Sequence, residues 1–185
     1  MSRRRRRWAG AAGSPMLVGA AGLGGCFFVD ALSDPAEPVP ELPVVFGLRA
    51  DGAGLLIATG WACPAETVLS VTFSRPDERA AYLEVAALAT VDLITVPTAG
   101  DSFTVERALP DGFDWAEYQT VNVSAALPQA TAWGAVAVDL DGLAENTAAH
   151  PAGEYYFGEA GWMTPQAAAE RDGQDLFTVC TPWDE

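Results

Sequence analysis

Lysine is absent from the 185 residues, and all ten basic side chains are arginine. Schiff-base chemistry, which needs a primary amine on the chain, is thereby excluded. A single histidine, His150, leaves little scope for general acid–base work or for a zinc site built on imidazole. No nucleophile elbow, Walker loop, dinucleotide fingerprint or zinc-spaced Cys/His cluster occurs, so no cofactor is expected. Cysteine is scarce as well: there are three, Cys26, Cys63 and Cys180.

What is present is unevenly distributed. Five of the ten arginines form the block Arg3–Arg7, and no acidic residue precedes Asp30. From Cys26 onward, five arginines face 25 Asp and Glu, a balance of −20 against −15 for the whole chain. That surface repels nucleic acid and anionic headgroups, so no nucleic-acid partner is expected. Half of the residues are hydrophobic, enough for one buried core in a domain of about 140 residues.

The basic block leads into a Gly/Ala-rich apolar stretch, the pattern of an export signal. Its most apolar part, Met16–Val29, is short for a bilayer span of roughly 20 residues. Leu23-Gly24-Gly25-Cys26 resembles the lipobox of bacterial lipoproteins. This resemblance covers the leader alone and implies that Cys26 becomes the lipidated first residue of an anchored, extracytoplasmic protein. Two other routes stay open. Val29-Asp30-Ala31 suits ordinary secretion with cleavage after Ala31, and an uncleaved anchor would hold the arginines on the cytoplasmic side. All three place the remainder outside the cell membrane.

The expected organisation is an export signal over 1–25, a lipidated cysteine with a linker over 26–43, and a single domain over 44–185. Four prolines and four acids in Asp30–Pro43 favour an extended spacer. At about 3.1 Å per residue it would reach some 40 Å from an anchor.

Beyond it, short apolar runs alternate with Gly, Pro and Asp punctuation, which reads as strands and turns. Strands are expected at Val44–Arg49, Leu55–Cys63, Thr67–Ser74, Ser102–Leu109, Tyr118–Ala125, Ala132–Leu140, Glu154–Phe157 and Asp175–Thr181. Leu69, Val71 and Phe73 should share a face, as should Leu55, Ile57, Thr59, Trp61 and Cys63. The fold class that follows is mainly β, an antiparallel two-layer β-sandwich with one short helix in the C-terminal half. Thr164-Pro165 starts that helix and Gly173 stops it. Residues 80–89 fit helix and strand about equally.

Cys26 accounts for the odd cysteine, being lipidated or removed, and Cys63 and Cys180 are then expected to pair in an oxidising compartment. Trp61, two residues before Cys63, resembles the indole packed on a disulfide in immunoglobulin-like sandwiches. The likeness is architectural, and the long Cys63–Cys180 spacing argues against that family's usual bridge.

Three stretches carry potential chemistry. Asp139, Asp141 and Glu145 gather oxygen ligands beside Gly142, as calcium loops do, but lack the third spaced acid and the terminal bidentate Glu of the EF-hand, so an acidic hairpin turn is expected. Asp111–Tyr118 combines three acids with three aromatics, including Trp115 and Tyr118; Glu154–Trp162 is a second aromatic-rich stretch, and Trp183 lies near the terminus. Trp115, Tyr118 and Trp162 could stack on sugar rings. His150 sits in a loop-like sequence and is expected to be exposed and inert. Nothing marks Ser70, Ser74, Ser102 or Ser124 as its nucleophilic partner.

The leading expectation is a non-enzymatic envelope protein, membrane-tethered, with a β-sandwich facing an unidentified partner. A carbohydrate- or cell-wall-binding module comes second. A small hydrolase relying on His150 or Asp114 ranks third.

Overall fold

The computed structural model describes residues 42–76, 80–128, 133–135 and 137–182. The leader, Cys26, the linker up to Glu41 and Trp183 lie outside the described residues. In chain order the strands are β1 (Val44–Val45), β2 (Gly47–Asp51), β3 (Gly54–Cys63), β4 (Val68–Ser74), β5 (Ala81–Ala87), β6 (Val91–Val96), β7 (Phe103–Arg107), β8 (Thr120–Ala126), β9 (Trp133–Gly134) and β10 (Val138–Asp139). Helix α1 (Leu143–Ala149), β11 (Tyr155–Tyr156), β12 (Trp162–Met163), α2 (Pro165–Arg171) and β13 (Phe177–Thr178) follow.

Two antiparallel sheets pack together as a sandwich. One runs β12-β11-β2-β3-β6, and the other runs β10-β8-β4-β5-β7 with β9 also paired to β8. The chain passes from the first sheet to the second after β3, returns for β6 alone, and comes back again for the β11–β12 hairpin. Helices are confined to the C-terminal half. No helix among the described residues is long and apolar enough to cross a membrane.

Alternation produces the core. Leu69, Val71 and Phe73 of β4 point inward with no exposure, as their period-2 pattern requires. Val121 and Val123 of β8 and Leu83 and Val85 of β5 join them, against Leu48, Leu55, Ile57, Ile94 and Val96 of the other sheet. Each such side chain contributes roughly 1.5–3 kcal/mol by leaving water.

Several expectations need correcting. The stretch 80–89, left open between helix and strand, holds strand β5 over Ala81–Ala87: Ala81, Leu83, Val85 and Ala87 are buried on one face, and Tyr82 points out under the Arg107 guanidinium, 4.6 Å from its ring centroid. β6 was not expected, because Asp92 and Leu93 are both exposed and break the alternation. The expected strand Ala132–Leu140 consists of two short strands, β9 and β10. Val44–Arg49 is likewise divided. β1 pairs in parallel with β13, whereas β2 pairs antiparallel with β3.

Asp139–Asn146 is no hairpin turn. It ends β10 and opens α1, so the C-terminal half holds two helices. α2 begins as the sequence implies: Thr164 Oγ1 accepts a hydrogen bond from the Ala167 N–H at 3.1 Å, and Pro165 follows at the first helical position. It covers the outer face of β3, where Ala58, Phe157 and Ala168 form a second buried cluster. β3 is therefore buried on both faces over part of its length.

Trp61 is 42 % exposed and is not the buried indole of an immunoglobulin-type core. β3 bulges between Ala58 and Cys63, which throws Trp61 outward while Thr59 and Cys63 stay inside. Cys63 and Cys180 are disulfide-bonded, with Cα atoms 5.1 Å apart across 117 residues of sequence.

Candidate functional site: a cavity at the hairpin β11–β12

The aromatic residues singled out in the sequence fall in two places. Trp115 is buried, 5 % exposed, in a single 3-10 turn, Trp115–Glu117, that Asp114 caps by accepting from the Ala116 N–H. Tyr118 packs with Phe73 and Phe113, ring centroids 5.8 and 5.2 Å away, and the Arg75 guanidinium lies 4.4 Å from its ring centroid. Arg75 also pairs with Glu117. Trp115 is thus a core residue, and one face of the Tyr118 ring is covered by Arg75.

Trp162 has a different setting. On the β11–β12 hairpin it lies directly opposite Tyr156, so both rings share one face of the sheet. Their centroids are 5.7 Å apart and their planes are tilted by 39°. His150 stacks flat on the indole at 4.1 Å and 7°. The histidine is therefore partly buried and structural, contrary to the exposed, inert loop residue expected.

Its position follows from local structure. Helix α1 ends at His150 because Pro151 cannot continue it. Arg49 of β2 clamps the next turn, donating to the carbonyls of Pro151 at 2.9 Å and Glu154 at 2.8 Å. His150 Nδ1 lies 3.2 Å from Glu154 Oε2. In the last turn of the same helix, Thr147 Oγ1 accepts from the Ala50 N–H at 3.2 Å, tying α1 to β2.

Beside this stack is a cavity of about 250 Å³ lined by Asp139, Asp141, Leu143, Asn146, Tyr156 and Trp162. Two of the three calcium candidates thus line one space with an aromatic candidate. Glu145 does not line it. Asp139 Oδ1 accepts from the Asp141 N–H at 2.8 Å. Among the described residues no three His, Cys, Asp or Glu side chains converge as a metal set.

A larger cavity of about 520 Å³ adjoins it, sharing Asp139 and Tyr156. Val44, Val45, Val138, Phe157 and Leu176 make its lining largely apolar. Arg171 and Asp175 sit at its edge in a two-point ion pair, 2.6 and 3.2 Å. That hydrogen bonding holds the Asp175 carboxyl below the usual aspartate range and raises Arg171 above its usual value.

None of Ser70, Ser74, Ser102 or Ser124 hydrogen-bonds to His150 among the described residues, and Ser70 instead donates to Glu84 Oε2 at 3.3 Å. The sequence reading missed Tyr156, Asn146 and His150 as neighbours of Trp162. A signal existed in Leu143–Ala149, a run of mostly helix-compatible residues between Gly142 and Pro151.

No family model, curated protein or solved structure significantly matches this chain. The functional reading therefore rests on the chemistry of the site and of the leader.

Proposed function

We propose that this chain is an exported, membrane-tethered envelope protein whose β-sandwich is a non-enzymatic binding domain. The observation that carries this reading is the Cys63–Cys180 disulfide, since such a bond persists in oxidising compartments and is rare in the cytosol. The Arg3–Arg7 block, the lipobox-like Leu23-Gly24-Gly25-Cys26 and the proline-rich spacer support it from the sequence. A balance of −20 from Cys26 onward suits a domain that stays clear of anionic headgroups.

Incorporation of radiolabelled palmitate tests the tether. Wild-type chain should take up label and respond to globomycin, whereas Cys26→Ser should take up none. An unlabelled wild type would exclude lipidation and leave secretion or an uncleaved anchor.

A second reading, a module that binds carbohydrate or cell-wall glycan, is favoured by one observation. Trp162 and Tyr156 form an aromatic wall in a small cavity that also presents carboxylates and an amide. Trp162 is the aromatic that carries this reading.

A further inference from the structure

We propose that the cavity beside Trp162 binds an organic ammonium group. The inference rests on the ligand-binding reading above and sharpens it to a charge class. At about 250 Å³ the space is below the range of drug-sized sites and suits one headgroup or one sugar ring. Its wall combines two features that together select a cation.

The first is aromatic. Tyr156 and Trp162 meet as a tilted pair, and an ammonium held against such faces is attracted by the negative potential of the ring systems. The indole is held before any ligand arrives: His150 stacks on it, and Arg49 anchors the segment that carries His150 and Glu154. Preorganisation of this kind lowers the ordering cost of binding.

The second is anionic. Asp139 and Asp141 line the same space and are both exposed, and no ion pair to either is found among the described residues. Asp139 Oδ1 is taken up by the Asp141 N–H, which orients that carboxylate. Among the described residues no arginine lines the cavity, so an anionic ligand finds no counter-charge from them there. A neutral sugar would use the rings, Asn146 and hydroxyl hydrogen bonds to the carboxylates, whereas a cation gains in addition the charge attraction of both. Bare calcium is poorly served, because two carboxylates and an amide fall short of its usual 6–8 oxygen ligands.

Two sources share this chemistry: an amino sugar with a free amine, and a quaternary ammonium headgroup. Calorimetric titration of the full-length chain in mild detergent at low salt separates them, with choline, glucosamine, N-acetylglucosamine and glucose as probes. At least one of choline and glucosamine should bind about tenfold more tightly than both neutral sugars, and added salt should weaken it. Asp141→Asn changes an exposed side chain and should reduce that affinity about fivefold. Trp162→Ala should abolish it, and Trp162→Phe should keep part of it should the alanine variant fail to fold.

Each outcome bears on a different claim. Glucosamine binding without choline binding identifies the amino sugar as the source. Choline binding without any sugar binding upholds the ammonium site and removes the glycan reading. Neutral sugars that bind as tightly as the cations overturn the ammonium inference and leave the glycan reading standing. If no probe binds, or if Asp141→Asn leaves the affinity for the cation unchanged, the inference fails.

Discussion

Gly60 holds a φ of +82° where β3 bulges, and a Cβ placed there would lie 2.4 Å from Thr178 Cγ2. Thr178 is fully buried, and its hydroxyl accepts from the Trp61 N–H at 3.3 Å, so it has little room to move aside. Both the backbone conformation and the contact require glycine. Gly60→Ala should therefore lower the unfolding free energy by on the order of 1–3 kcal/mol, read from the urea midpoint. An unchanged midpoint would show that the bulge relaxes freely. The same bulge explains why Trp61 is exposed while Thr59 and Cys63 are buried. Single-residue roles were hard to read for this reason. Trp115, Tyr118 and Trp162 are equally aromatic in the sequence, yet two are packing residues and one lines a cavity. The distinction depends on neighbours far away in the chain, such as Phe73 for Tyr118 and Leu143 for Trp162.

Among the elements, those with local signals were legible. β4 alternates without interruption, and α2 carries its own cap, its proline and a terminating Gly173 at φ +73°. Thr164→Ala removes the acceptor for the Ala167 N–H and should cost about 1 kcal/mol in thermal or urea unfolding, because α2 is the lid over Ala58 and Phe157. Loss of clearly more than this would mean that the helix detaches as a unit. β6 and α1 gave weaker signals. β6 is held by its pairing with β3, from Leu55↔Val96 to Ala58↔Leu93, and its own sequence exposes two consecutive side chains. α1 spans seven residues, too few to stand alone in water, and depends on its buried Leu143 and Thr147.

For the whole molecule, the bond between Cys63 and Cys180 ties the segment after β13 to the end of β3, closing a loop of 117 residues. On the chain-entropy account its removal should cost about 4–5 kcal/mol. Urea unfolding with and without reductant measures this, alongside the double variant Cys63→Ser/Cys180→Ser. Equal midpoints would show that the sandwich stands without the bridge. The Trp61 N–H of β3 donates to Thr178 in the same attachment, and Asp172 braces the C-terminal segment locally. The Thr178 N–H donates to Asp172 Oδ1 at 2.7 Å, and the Thr181 hydroxyl donates to that oxygen at 2.6 Å.

The sequence by itself determined the class of the fold, most of its strands, the pairing of Cys63 with Cys180 and the start of α2. Each of these depends on short-range periodicity, a local cap or simple counting. Tertiary structure alone decided which side chains share a surface. Asp139, Asp141, Asn146, Tyr156 and Trp162 come from β10, the turn after it, α1 and the β11–β12 hairpin. They meet because two sheets close around one apolar core, and that packing converts distance along the chain into contact in space.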